Sequence, residues 1–195
     1  MILSPLAGVV VAVLAGLGMI GLDRIGFYIV VAVPLLAGAM TGMAIAMPSI
    51  RSRSPIPPRI VLAILCGLVT VAVYWYGSYQ VFVEEVVTEI QRATPSATRE
   101  EAIDLMDRIM LSEYGVTGIQ GYVADAASVG VNITRTLSSS EGTGIELKDN
   151  LAYVYWGVEA LLIIGTAIAV VIRRDRMAKA MLPKTDTGGL SSPIQ

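Results

Sequence analysis

The sequence predicts an all-α integral membrane protein with four transmembrane helices and a small helical extracytoplasmic cap between the third and the fourth. Three observations predict it. Of 195 residues, 54% are hydrophobic and only 15% charged, with a mean hydropathy of +0.68, which points to lipid as the solvent. Four apolar runs have the length of a span, since about 20 residues at 1.5 Å each cross a hydrocarbon core of roughly 30 Å. Basic residues are concentrated in alternate connections, which gives the runs a direction.

The first three runs form a transmembrane segment over residues 1–83. Leu3 to Leu22, Phe27 to Ala46 and Ile60 to Val83 carry no charge. Backbone groups in lipid must pair internally, so each is expected to be a helix. The first run has no basic stretch before it and ends Gly-Met-Ile-Gly-Leu, which argues against a cleaved signal peptide. The linker Met47 to Arg59 holds Arg51, Arg53 and Arg59 without an acid. It therefore belongs on the cytoplasmic side, and the Asp23-Arg24 turn on the outer side.

The segment 84–150 is acidic, with twelve acids against five basic residues and a net charge of −7. Glu84 to Arg92 continues the third helix beyond the membrane until Ala93-Thr94-Pro95-Ser96 breaks it. A second helix starts at Thr98, which forms a capping box with Glu101, and ends at Gly115. Its apolar face carries Ala102, Ile103, Met106, Ile109 and Met110. Val116 to Val129 reads as a further helix with Ile119, Tyr122, Val123 and Ala126 on one face, weakened by Gly118 and Gly121 by about 1 kcal/mol each. Thr136 to Gly144 reads as a flexible loop. Asn132-Ile133-Thr134 is a glycosylation sequon, meaningful only where a secretory pathway uses it.

Leu151 to Ile172 is the fourth span, and it carries one charge, Glu159. The tail 173–195 opens with Arg173, Arg174, Asp175 and Arg176, followed by Lys179, so both termini are assigned to the cytoplasm of a cell membrane. Its end reads as disordered.

Absences narrow the chemistry. There is no histidine and one cysteine, Cys66, within an apolar run. Histidine-ligated haem, Ser-His-Asp and Cys-His catalysis, histidine-rich metal sites and CxxC redox chemistry all need residues that are missing. No catalytic residue, cofactor or metal site is expected, and a net charge of −2 gives no reason to expect nucleic acid as a partner. Asp104, Asp107 and Asp125 are the only external acids an enzyme reading would have, and a solvated helix face explains them better.

Three features remain as candidates. Small residues recur four apart: Gly8, Ala12 and Gly16; Gly38, Gly42 and Ala46; Ala63 and Gly67; Gly165 and Ala169. Such ladders mark faces where helices approach closely, within this bundle or in another subunit, and Pro34 on the second marks a kink. The aromatic residues gather at the outer ends of the spans: Phe27 and Tyr28, then Tyr74, Trp75, Tyr76, Tyr79 and Phe82, then Tyr153, Tyr155 and Trp156. They read as interfacial anchors or as a surface that docks lipid or a partner, with Trp75, Tyr76, Tyr79, Tyr155 and Trp156 as its core. Glu159 lies about eight residues, or roughly 12 Å, into its span. An acid there is turned inward for structure, with Thr70 or Ser78 as a partner, or for proton or cation handling.

Gly118-Ile119-Gln120-Gly121-Tyr122, Gly130-Val131-Asn132-Ile133 and Tyr153-Val154-Tyr155-Trp156-Gly157-Val158-Glu159 resemble segments of uncharacterised bacterial multi-pass membrane proteins. The resemblance covers the C-terminal third and implies three spans, an external segment and a last span, with no activity attached. The expectation for function is a non-catalytic accessory or scaffold subunit of a membrane protein complex. It would contact lipid and other subunits or further copies of itself. A small oligomeric transporter or channel using Glu159 is the alternative.

Overall fold

The computed structural model describes residues 3–25, 31–49, 55–133 and 145–180. Six helices follow in order: α1 (Leu3–Arg24), α2 (Ala32–Ser49), α3 (Ile56–Ala93), α4 (Arg99–Tyr114), α5 (Gly118–Val129) and α6 (Asn150–Ala180). Between α5 and α6, β1 (Val131–Ile133) pairs antiparallel with β2 (Ile145–Leu147), Asn132 opposite Glu146. The fold is all-helical as expected apart from this short ribbon, whose three-residue strands are too brief to carry a periodic signal.

Three helices are long and apolar enough to cross a membrane: Pro5–Arg24 within α1, then α3 and α6. The protein is therefore read as membrane-embedded. α2 is a shorter apolar helix, about 27 Å long at 18 residues. α3, at 38 residues and about 57 Å, is longer than a hydrocarbon core is thick, and its last turns carry a cap of α4 and α5.

α1, α2, α3 and α6 pack as one bundle whose directions follow from successive contacts. Gly8, Gly16 and Ile20 of α1 meet Cys66, Thr70 with Val73, and Gly77 of α3, so α1 and α3 run parallel. Gly38 and Gly42 of α2 meet Ile163 and Ala167 of α6, so these two also run parallel. Gly67 against Ile164 and Trp75 against Trp156 share one antiparallel register between α3 and α6. Two buried clusters fill the interior. One joins Ala12, Ile45, Ala63, Cys66, Ala167 and Val171, the other Ala15, Met19, Val33, Ala37 and Ile163.

Glycine makes this packing possible. A Cβ on Gly42 would stand 2.6 Å from the Ala167 carbonyl oxygen, one on Gly16 2.9 Å from that of Thr70, and one on Gly38 would collide with that of Ile163. Gly8 and Gly67 are equally tight against Ile45 and Ile164. Gly165 is the exception: it is exposed, with nothing within 4 Å of an added Cβ, so its ladder packs on no other described helix of this chain. Ile163 and Ala167 turn inward on α6, which rotates Gly165 and Ala169 away from the bundle. Pro34 falls in the first turn of the described α2, where a missing N–H interrupts no helical bond, so it accounts for no kink.

The cap is built on the projecting part of α3. Val83 and Val87 bury against Ala102, Met106 and Met110 of α4. The Thr98 hydroxyl accepts from the Glu101 N–H at 3.3 Å, Glu101 Oε2 accepts from the Thr98 N–H at 2.9 Å, and Gly115 ends α4 with φ 72°. Ile109, placed on the buried face by its spacing, is 47% exposed at the edge of that face. In α5 the buried positions are Gly121 and Ala127, and Ile119 is exposed. Gly121 is needed because a side chain there would stand 2.7 Å from Met110 Sδ. Phe27, Tyr28, Arg51, Arg53, Thr134, the loop Thr136 to Gly144 and the last dozen residues lie outside the described residues.

Candidate functional site

The described aromatic residues at the end of the bundle next to α4 and α5 form a seam of rings rather than an open rim. Trp75 of α3 meets Trp156 of α6 edge to face, with centroids 4.7 Å apart and planes at 82°. Trp75 also lies 6.1 Å from Tyr122 of α5, which in turn lies 6.0 Å from Tyr79 and 5.2 Å from Phe82. Tyr153 extends the seam at 5.5 Å from Trp156. Three helices are thereby joined through stacked edges, an arrangement favoured by the ring quadrupole over and above the area buried.

Of the five aromatics proposed as a docking surface, Trp75, Tyr79 and Trp156 are half-buried in this seam, and Tyr155 is half-buried on α6. Only Tyr76 is open, at 59% exposure. The aromatic the spacing left unassigned to this group is Tyr122. Its role rests on a contact across some forty residues with Tyr79 and Phe82, which no local pattern signals. Burial pushes the Tyr122 phenol up from its ordinary range, and the negative charge of Asp23 adds to the effect. That influence puts the C-terminal end of α1 beside the cap.

One turn inward of Trp156 on α6 lies Glu159, which is 5% exposed. Its Oε1 is fully buried and has no hydrogen-bond partner among the described residues. Neither expected partner serves it. The Thr70 hydroxyl donates to the Cys66 carbonyl at 3.1 Å within its own helix, and Ser78 Oγ makes no bond to it. Asp23 is near enough for its charge to act on Glu159 and on Tyr155.

The acids of α4 and α5 weighed as an enzyme's groups are engaged in the cap itself. Asp104 pairs with Arg108, Asp107 accepts from the Gly118 N–H at 3.3 Å, and Asp125 accepts from the Tyr114 hydroxyl at 2.8 Å. Glu84 on α3 pairs with Arg99 on α4. These groups hold α3, α4 and α5 together, and no group of three His, Cys, Asp or Glu suited to a metal occurs among the described residues.

At the other end of the bundle Arg59 and Asp175 pair at 3.4 Å, each side chain 11% exposed. No protein-family model, no curated protein and no solved structure matches the chain.

Proposed function

We propose that the protein is a non-catalytic accessory or scaffold subunit of a larger membrane complex, anchored by four spans and presenting its acidic cap on the outer face. The ring seam carries this reading. It fastens α5 to α3 and α6, so the cap is held by the bundle instead of hanging from a linker, which suits a surface that must meet a partner in a fixed orientation. The cap also leaves Leu105, Ile109, Leu111 and Val129 exposed, between 44% and 63%, in a segment of net charge −7. Apolar residues ringed by acids fit a partner with a basic rim.

The fourth crossing is supported by chain direction. α1 and α3 run parallel, so the chain must return between them, and α2 is the apolar helix that lies there. The arginines of the linker and of the tail then share one side, consistent with a cytoplasmic face.

The alternative, a small oligomeric transporter or channel, draws on Glu159. Helix backbones meet at Gly16, Gly38, Gly42 and Gly67, which argues against a pathway through a single bundle.

Extraction in mild detergent followed by native mass spectrometry tests the reading. A stoichiometric membrane partner is expected with the wild type, and Leu105→Glu with Ile109→Glu is expected to release it. An isolated monomer from wild-type membranes would overturn the proposal.

A further inference from the structure

Glu159 is the deepest carboxyl group of the described bundle, and its surroundings define what it can hold. The register shared by Gly67–Ile164 and Trp75–Trp156 brings the turn of α3 around Ala72 level with it, where Val71 packs against the buried cluster. The parallel register of α2 brings Pro34 to the same level, and Val33 beside it packs with Met19 of α1 in one buried cluster. These neighbours are apolar, and Pro34, Val33 and Met19 are buried. The charged and titratable groups that face Glu159 are few. α1 brings Asp23, whose charge reaches it, followed by the exposed Arg24; within about a turn of its level lie Tyr74 of α3, Tyr122 of α5 against Trp75, and Tyr155 of α6 itself. α2 has no ionisable residue within its described range.

An ionised carboxylate here would lack both water and a counter-charge, and the nearby acid would repel it. A bare metal cation is a poor alternative. Hard cations take six or more oxygens, and the apolar side chains packed around this level supply none. A proton needs only the carboxyl.

We infer that Glu159 is a proton-binding site, occupied in the closed bundle and emptied only when α6 parts from α3 far enough to admit water. Trp156 stands one turn away on the same helix, so the parting that exposes Glu159 also opens the Trp75–Trp156 contact through which the cap is held. The site thereby links acidity to the seating of the cap. The inference concerns the isolated chain and does not depend on the accessory-subunit reading.

Folding takes up this proton, because an exposed glutamate ionises above about pH 4.3. Stability is therefore greatest in acid and declines as pH rises, the unfolding equilibrium shifting by up to tenfold per pH unit until the folded site itself empties. Glu159→Gln cannot ionise and loses that dependence.

The test is infrared spectroscopy of the full chain in lipid nanodiscs. At neutral pH the wild type is expected to show the carbonyl stretch of a protonated carboxyl, sensitive to heavy water and absent from Glu159→Gln. If that variant does not fold, the wild-type band followed across pH, alongside Asp23→Asn, serves instead: loss of the band on alkalinisation with the band retained in Asp23→Asn supports the site. No band at neutral pH, or a band that survives Glu159→Gln, overturns the inference. So does a melting temperature that rises with sodium or potassium over choline when no band is present, since a cation would then hold the site.

Discussion

Arg59 near the start of α3 and Asp175 near the end of α6 are 116 positions apart and pair through Nη1 and Oδ1 at 3.4 Å. Each side chain is 11% exposed, so the pair is shielded from solvent and ties the arginine-rich end of the bundle together. Removing one partner takes away the counter-charge that the other holds at 3.4 Å. Asp175→Asn should lower stability by about 3 kcal/mol, the lower end of the cost of breaking a buried pair. The double variant Asp175→Asn, Arg59→Met should recover part of that loss, as read by thermal denaturation in detergent.

The glycine contacts separate two classes of position. At Gly38 and Gly42 an added methyl group meets the carbonyl oxygens of Ile163 and Ala167, and overpacking of that kind costs about 1–3 kcal/mol. At Gly165 it meets nothing, and alanine gains helix propensity worth up to about 1 kcal/mol. Gly42→Ala should therefore lower the melting temperature, and Gly165→Ala should hold or raise it. A drop with Gly165→Ala in the purified monomer would show that the face of α6 assigned to lipid is packed instead.

Much of the fold was legible where its cause is local. The limits of α4 follow from Thr98, Glu101 and Gly115 alone, because capping and a left-handed terminus involve neighbouring residues. The end of α3 at Ala93 follows from an uninterrupted helical run that stops at the break before Pro95. What was not legible depends on the phase of one helix relative to another. Gly165 and Gly42 look alike in sequence, yet only one points at a neighbour. Gly121 reads as a weakness in α5 until Met110 is seen against it, and Tyr122 joins the aromatic group only through tertiary packing. For Glu159, burial could be read from its depth in the span, and the failure of Thr70 to pair with it could not.

The ring seam offers its own probe, because the chain has two tryptophans and both belong to it. Tyr122→Ala removes the ring that joins α5 to Trp75 and Phe82. Truncating a large aromatic in a core costs about 3–5 kcal/mol, and this half-buried ring should cost about 2 kcal/mol. Amide exchange should accelerate across α5 and leave the protected middle of α2 unchanged, with tryptophan emission shifting to the red.

Tyr122 also gives the cap an alkaline limit. Burial raises its phenol above the ordinary value of about 10. The folded chain thus keeps a proton that the unfolded chain loses first. The stabilisation is complete below about pH 10 and is lost as pH rises through the raised value. Tryptophan emission should change at a higher pH than free tyrosine ionises, and Tyr122→Phe should remove that component of the titration.

The central claim is an anchor of four oriented crossings, with α2 returning the chain between the parallel helices α1 and α3. Single cysteines at the exposed positions Arg24, Pro55, Ser112 and Arg173, in a Cys66→Ser background, test it with a membrane-impermeant thiol reagent on intact cells. Arg24→Cys and Ser112→Cys should react from outside, whereas Pro55→Cys and Arg173→Cys should react only after permeabilisation. Labelling of Arg24→Cys and Ser112→Cys from opposite sides of the membrane would contradict the claim, since α2 would then fail to cross.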